Sequence, residues 1–170
     1  GKGVNSLNGG FAVGSPAFAN LTDNIRYLKS RGVESYVRLM WGKSLFTAKT
    51  PEAQAAFRAA YIKKIKPFVE AWKGLVACYP IGNEENQYRF IGRKDPVDPP
   101  FFKQSYREAV IAVSEAIHAI DPKARTAVTS ALFDFGWTEE YLKNGLAGVL
   151  DEVSVHIYRE TDPLGSYPEK

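Results

Sequence analysis

The sequence predicts an α/β protein in which parallel strands alternate with helices. From Asn20 onward, helix patterns and strand patterns follow each other four times, and each connection between strands is long enough for a helix. The strand patterns are apolar on both faces, which is typical of a parallel sheet covered by helices. Two architectures fit this order, an open doubly wound sheet and a closed or partial barrel.

The glycines near the start of the chain favour the barrel. An open doubly wound sheet normally carries a G-x-G-x-x-G loop directly after a strand. Gly9-Gly10 and Gly14 lack that spacing, and no strong strand pattern precedes them.

The first predicted helix and strand occupy the region before residue 50. The helix is expected to be capped by Asn20 or Thr22 and to end at Gly32. The β-rich apolar run Glu34–Trp41 predicts a strand, and Gly42–Thr50 predicts a loop.

The second helix has the clearest start signal. Thr50-Pro51-Glu52 combines a capping hydroxyl, a proline at the first helical position and an acid in the first turn. Pro67 is expected to kink this helix, and Gly74 to end it before a strand at Leu75–Tyr79. Apolar residues three or four apart predict one buried stripe: Phe57, Tyr61, Ile65, Phe68 or Val69, and Trp72.

The second half of the chain continues the alternation after a polar, Pro-rich loop at Gln87–Pro100. It predicts a helix from about Phe102 to Ile120, a strand at Arg125–Leu132, a short helix capped at Thr138 and ending near Gly145, and a strand at Asp151–Tyr158.

The composition bounds the class of protein. A chain of 170 residues that is 45% hydrophobic predicts one core and a single domain over 1–170. A net charge of +3 with interspersed acids and bases lacks the basic stripe of a nucleic-acid binder, and no apolar run approaches membrane-spanning length. One cysteine, Cys78, and two histidines disfavour a metal site, so no cofactor is expected.

Two short motifs lie at the ends of predicted strands. Ile81-Gly82-Asn83-Glu84 puts an Asn and a carboxylate just after an apolar run, and His156-Ile157-Tyr158 ends the last strand. His156 and Tyr158 alternate, so they lie on one face of that strand. In a (β/α) barrel, such strand ends form the rim where active sites are assembled.

These motifs resemble the clan of retaining glycoside hydrolases built on the (β/α)8 barrel, which includes xylosidases, endoglucanases and mannanases. The family's fourth strand ends close to apolar-Gly-Asn-Glu, and its sixth commonly ends in His-x-Tyr. The flanks also match, since 57–72 is similar to the family's third helix and Asp121-Pro122-Lys123-Ala124 to its approach to strand five. The resemblance implies a TIM-barrel (β/α)8 type fold that is incomplete, covering strands three to six, or about half a barrel.

An alternative alignment makes Gly3-Val4-Asn5 the first strand and the run ending at Trp41 the second. We prefer the third strand for that run, because only one helix separates Trp41 from the Asn83-Glu84 motif. The chain opens with Gly1, and its only methionine is Met40, so we expect a processed or partial sequence with its localisation open.

The resemblance implies a catalytic role for Glu84 as general acid and base, and contact between Asn83 and a sugar 2-hydroxyl. It places His156 and Tyr158 along the site. The nucleophile, a Glu on strand seven in the family, has no counterpart here, since Glu160, Asp162 and Asp134 do not stand in its position.

Three further residues are candidates for substrate binding from their chemistry. Trp41 ends one predicted strand and Trp137 lies in the loop after another, and both have rings on which a sugar can stack, although either can equally fill the core. Arg38 lies within a strand, where a buried guanidinium requires a carboxylate partner, and it is a candidate to serve the missing nucleophile.

The predicted function is therefore that of a glycoside hydrolase fragment, nearly inactive alone. Its expected partners are a carbohydrate and the remaining half of its barrel. Two alternatives stay open. One is a non-catalytic carbohydrate-binding barrel protein. The other is a metal-dependent barrel hydrolase with Glu84, Glu85, His156 and Asp134 as ligands.

Two positions depart from common patterns. The family often has proline where Glu85 stands, and Pro80 removes a ladder donor just before the motif, so an irregularity is expected there.

Overall fold

The computed structural model describes residues 12–41, 48, 50–84, 100–131 and 135–156, apart from the side chains of 100–103, 131, 135 and 137. The elements in chain order are α1 (Pro16–Ser30), α2 (Pro51–Ala71), β1 (Cys78–Ile81), α3 (Pro100–Ile120), β2 (Arg125–Ala131), α4 (Phe135–Tyr141) and β3 (Glu152–His156). A five-residue π-helical turn, Leu142–Leu146, follows α4. No helix within these described residues is both long enough and apolar enough to cross a membrane.

The three strands form one parallel sheet in the order β1-β2-β3. Cys78 pairs with Arg125 at the start of β1, and Ala131 pairs with His156 at the end of β3. Because the strands are parallel and consecutive, each crossover runs through a helix, as the sequence predicted. All carboxyl ends therefore meet at one edge of the sheet.

The predicted strand Glu34–Trp41 lies beside β1 as a fourth, parallel segment. Two separate bridges hold it, Tyr36 to Cys78 and Leu39 to Ile81, and both have the same register. The ladder is interrupted at Pro80, which accepts from the Leu39 N–H at 2.8 Å but has no N–H to donate to Val37. Pro80 thus causes the irregularity expected before the motif, without a change of register.

The start of α1 corrects the predicted cap. The helix begins at Pro16, and the Ser15 hydroxyl accepts from the Phe18 N–H, so the prediction of a cap at Asn20 or Thr22 is wrong. Thr22 lies inside the helix, where its hydroxyl donates to the Phe18 carbonyl and accepts from the Trp72 indole at 2.8 Å. The predicted end is confirmed, since Gly32 has φ +73° just past the last turn.

The start of α2 is as predicted, with Thr50 accepting from the Ala53 N–H and proline at the first position. The helix continues past Pro67 to Ala71. The following strand begins three residues later than predicted, at Cys78 rather than Leu75. The reason is a turn, in which the Leu75 N–H donates to the Trp72 carbonyl and Gly74 has φ +70°.

The later elements agree with the sequence except at helix starts. α3 begins at Pro100, slightly before the expected Phe102. The predicted cap at Thr138 is wrong, because α4 already begins at Phe135 and Thr138 is buried inside it. Gly145, with φ +108°, ends this region near the predicted position. Of the last predicted strand, residues 157 and 158 lie outside the described residues.

The core lies between the sheet and the helices. Val37, Leu39 and Trp41 are buried on that side of their segment, while Tyr36, just before Val37, is 49% exposed. Because side chains alternate along a strand, Tyr36 and Arg38 share the opposite face, which we call the inner face. The inner face carries the charged side chains of the sheet, and the candidate site lies at its carboxyl end.

Candidate functional site

Four of the predicted site residues meet at the carboxyl end of the sheet. They come from three places in the chain: Arg38 from the edge segment, Asn83 and Glu84 from the turn after β1, and His156 from the end of β3. Hydrogen bonds connect them in the order Asn83, Arg38, His156, Glu84. The fold thus brings together residues that are more than a hundred positions apart.

The turn after β1 holds Glu84 in an unusual backbone conformation. Gly82 has φ +78° and Glu84 has φ +56°, and Glu84 is the one non-glycine residue with positive φ in the described parts of the chain. Such a conformation costs about 1–3 kcal/mol and persists only where the surroundings impose it. Here the Gly82 N–H donates to Leu39, and the Glu84 N–H donates to the Thr129 carbonyl at 3.1 Å. The motif is therefore fixed between two neighbouring strands.

The Glu84 side chain is almost completely removed from water. It is 5% exposed, and its Oε1 lies 2.5 Å from Nδ1 of His156, whose side chain is 18% exposed. A buried carboxylate needs a hydrogen-bond donor, because burial without one is costly. His156 supplies it from β3, so the two motifs meet directly.

Arg38 connects the two motifs. Its Nη1 donates to Oδ1 of Asn83 at 2.5 Å, and its Nη2 lies 2.9 Å from Nε2 of His156. The sequence predicted a carboxylate partner for this guanidinium, on the nucleophile that this chain lacks. Within the described residues, Arg38 hydrogen-bonds an amide and an imidazole, and it reaches the Glu84 carboxylate only through His156.

The sequence predicted Trp41 and Trp137 as platforms for a sugar ring. Trp41 is buried, at 6% exposure, with its ring centroid 5.5 Å from that of Tyr61 and 6.0 Å from that of Tyr106. It therefore fills the core, which is the alternative that the sequence left open for it, and it presents no open ring face here. The side chain of Trp137 lies outside the description.

The remaining predicted positions are outside the described residues. These are Tyr158, Glu85 and Asp134, together with Glu160 and Asp162. Glu85 and Asp134 belong to the proposed metal-ligand set. Among the residues that the structure does describe, no group of three or more His, Cys, Asp or Glu side chains could hold a metal ion.

Sequence reasoning missed one contributor to the site, Thr129, whose carbonyl accepts the Glu84 N–H. A backbone acceptor carries no side-chain signal, so no sequence pattern could have identified it. The contact between Arg38 and His156 was also not predicted, since it depends on the sheet order.

Known structures are similar to this fold, although no protein-family model and no curated protein sequence matches the chain. A β-galactosidase from the Antarctic haloarchaeon Halorubrum lacusprofundi matches with a TM-score of 0.58 and 13% identity, over 83% of this chain and 32% of that one. A psychrophilic family 10 endo-β-1,4-xylanase matches with a TM-score of 0.57 and 16% identity, over 81% and 49%.

An endo-1,4-β-mannanase from Eisenia fetida matches with a TM-score of 0.52 and 15% identity, over 81% of this chain and 47% of that one. The chain folds as part of a (β/α)8 barrel. The predicted incomplete barrel is thus confirmed, and this chain spans less than half the length of these three structures. By name, the three matched proteins are a β-galactosidase, a xylanase and a mannanase.

Proposed function

We propose that this chain provides the acid/base half of a retaining glycoside hydrolase active site, with Glu84 as the general acid and base. One observation carries the proposal. A buried carboxylate at the carboxyl end of a barrel strand accepts a hydrogen bond from a histidine on a neighbouring strand. Active sites of such barrels lie at this edge, and catalytic carboxyls are buried there to adjust their acidity.

The reaction proceeds in two displacements. In the first, a nucleophilic carboxylate attacks the anomeric carbon while the glycosidic C–O bond breaks, and Glu84 gives its proton to the leaving oxygen. In the second, the Glu84 carboxylate takes a proton from water, and the water oxygen displaces the nucleophile from the anomeric carbon. The sugar is released with its original configuration, and Glu84 is protonated again.

This chain covers less than half of each of the three matched structures. The nucleophile belongs to the remaining part of the barrel. Retaining enzymes keep the two carboxyl groups about 5 to 5.5 Å apart. We therefore place the nucleophile on a later strand, across the open inner face from Glu84. The remaining half of the barrel is then a partner that activity requires.

Asn83 is proposed to bind the sugar. Its Oδ1 accepts from Arg38, so the donor end of the amide, Nδ2, is the end turned away from the guanidinium. A donor there suits the sugar 2-hydroxyl, whose contacts strengthen as the oxocarbenium-like transition state forms. Tyr158 and Trp137 remain predicted contacts of the same substrate.

The substrate class is a β-linked glycan. The proteins with similar folds include an endo-β-1,4-xylanase and an endo-1,4-β-mannanase, so xylo- and manno-oligosaccharides are the first substrates to assay. The assay uses the full-length gene product, because the proposal needs both carboxyl groups.

The decisive variant is Glu84→Gln. General acid catalysis contributes about 10²–10⁴-fold, so turnover of natural oligosaccharides should fall by about that factor. Dinitrophenyl glycosides have leaving groups that need little protonation, and their glycosylation rate should stay near that of the wild type. Steady-state and burst kinetics on both substrates separate the two steps.

A matched control is Glu115→Gln, which makes the same change on an exposed face of α3. It should leave both rates unchanged. An equal loss on both substrate types in Glu84→Gln would contradict the acid/base role. Oligosaccharide binding without any turnover by the wild type would favour a carbohydrate-binding protein instead.

A further inference from the structure

The hydrogen bonds of Arg38 determine which nitrogen of His156 carries the proton. A guanidinium has N–H donors and no acceptor, so any nitrogen that hydrogen-bonds it must accept. Nε2 of His156 lies 2.9 Å from Nη2 of Arg38. Nε2 must therefore offer its lone pair, and the imidazole proton is left on Nδ1.

The second contact of the ring agrees with this assignment. Nδ1 of His156 lies 2.5 Å from Oε1 of Glu84, and an ionised carboxylate can only accept. A protonated Nδ1 and an unprotonated Nε2 satisfy both neighbours at once. The opposite tautomer would place two donors together at Arg38 and two acceptors together at Glu84.

We propose that Arg38 is a positioning residue that holds His156 as the neutral Nδ1–H tautomer, which donates to Glu84. An imidazolium would direct an N–H at the guanidinium N–H and place two positive charges within hydrogen-bonding distance. The contact between His156 and Glu84 is accordingly a neutral-donor hydrogen bond and not an ion pair.

This arrangement assigns the two oxygens of Glu84 different tasks, a step that rests on the proposed function. Oε1 is occupied by the imidazole N–H, so Oε2 is the oxygen that gives and takes the catalytic proton. Arg38 thus acts on the reaction through His156.

The direct test is nitrogen NMR of the two imidazole rings in the ¹⁵N-labelled chain at neutral pH. Long-range proton–nitrogen couplings distinguish a protonated Nδ1 from a protonated Nε2. We expect wild-type His156 to be the Nδ1–H tautomer only. The variant Arg38→Met removes the guanidinium and keeps an unbranched apolar side chain. In this variant we expect signals of the Nε2–H tautomer of His156 to appear.

His118 is the internal control, since it is the only other histidine and its Nε2 lies 3.3 Å from Oδ2 of Asp151, directly before β3. Its signals should be unchanged in Arg38→Met, which shows that the fold is intact. If the variant fails to fold, the wild-type spectrum decides alone. An Nε2–H or doubly protonated His156 in the wild type, or an unchanged tautomer in a folded Arg38→Met, would overturn the proposal.

Turnover measurements on two variants of His156 test this inference separately from the proposed function. In the full-length gene product, His156→Asn keeps an amide donor near the position of Nδ1, whereas His156→Gln puts its amide near Nε2. We expect turnover of natural oligosaccharides to fall about tenfold more in the Gln variant than in the Asn variant, within the range of acid/base effects. Equal losses would overturn the role of the Nδ1 donor. An Nδ1–H tautomer in an inactive wild type would contradict only the proposed function.

Discussion

The two ends of the inner face carry similar side chains in very different surroundings. At the carboxyl end, Glu84 and His156 are 5% and 18% exposed. At the amino end, Arg125 is 36% exposed; it contacts Glu34, which is 58% exposed, and its Nε lies 3.0 Å from Oε1 of Glu152. Access of water decides what each set of contacts can do.

At the exposed end, solvent screens the charges and competes for each hydrogen bond. Exposed ion pairs of this kind typically contribute about 1 kcal/mol or less to the free energy of unfolding. At the buried end, each group depends on its neighbour, because no water replaces a lost partner. The loss of a side chain should therefore be tolerated at the amino end of the sheet and not at the carboxyl end. Only the carboxyl end has the buried groups that an active site needs.

The largest expected effect on stability is that of His156→Leu. The change leaves the buried Glu84 carboxylate and the Arg38 guanidinium without their shared partner. We expect a loss of about 2–3 kcal/mol in the free energy of unfolding, measured by urea denaturation of the chain. The matched control is His118→Leu, whose side chain is 33% exposed and should cost clearly less. Equal losses would mean that the two ends do not differ in the proposed way.

A smaller effect is expected for Arg125→Met at the amino end. This change removes contacts to Glu34, Glu152 and the Tyr36 hydroxyl, yet all of these groups can turn to water. The urea midpoint should stay close to the wild-type value and shift less than in His156→Leu. A shift as large as that of His156→Leu would show that the exposed network has a structural role.

High salt should change the stability contribution of the amino end of the inner face and not that of the carboxyl end. In 1 M NaCl the screening length falls to about 3 Å, so any contribution of Arg125 should disappear. The difference between wild type and Arg125→Met should then vanish, whereas that between wild type and His156→Leu should persist. Urea titrations at low and high salt measure both. Loss of the His156 effect in salt would indicate an exposed ion pair rather than a buried hydrogen bond.

The smallest effect concerns Cys78, the buried thiol at the start of β1. Burial, and then the charge of Glu152, raise the pKa of Cys78 to about 12. The thiol should therefore resist alkylation by iodoacetamide at pH 8 in the folded chain and react after addition of urea. Modification of the folded chain at the rate of a free thiol would contradict its burial.

The raised pKa of Cys78 also predicts how the stability of the chain depends on pH. An unfolded thiol has a pKa of about 8.5, so a raised pKa in the folded chain contributes stability that is present below that pH. The contribution is lost as the pH rises from there towards 12. Wild type should consequently lose more stability than Cys78→Ala between pH 8.5 and 11. Parallel pH profiles would show that the thiol does not titrate differently on folding.

The elements of this fold could be predicted where the signal is local. The cap and proline at Thr50-Pro51 start α2 as expected, and Gly32 ends the turn after α1. The predicted starts of α1 and α4 were wrong. Near the start of α1 several polar residues can serve as caps, and the helix uses Ser15. Thr22 is buried inside α1, where its hydroxyl accepts a hydrogen bond from the Trp72 indole. No local sequence pattern shows such a long-range contact.

The candidate site divides in the same way. Glu84, Asn83 and His156 were identifiable because each ends a strand in a recognisable motif, and strand ends meet at one edge of a parallel sheet. The contact between Arg38 and His156 joins residues 118 positions apart. Such a pairing depends on sheet order and register, which a single sequence does not state. Trp41 shows the limit of residue type, since the same ring suits a sugar platform and a core.

The sequence alone determined the alternation of helices and parallel strands, and the two motifs at the strand ends, because periodicity and turn residues act over a few neighbouring positions. Only the tertiary structure decided which side chains hydrogen-bond one another at the site. It also decided that Trp41 belongs to the core, and that Glu84 is buried while Arg125 is not. Burial and hydrogen bonding at these sites arise from contacts between distant segments. They are set by the packing of the whole sheet against its helices.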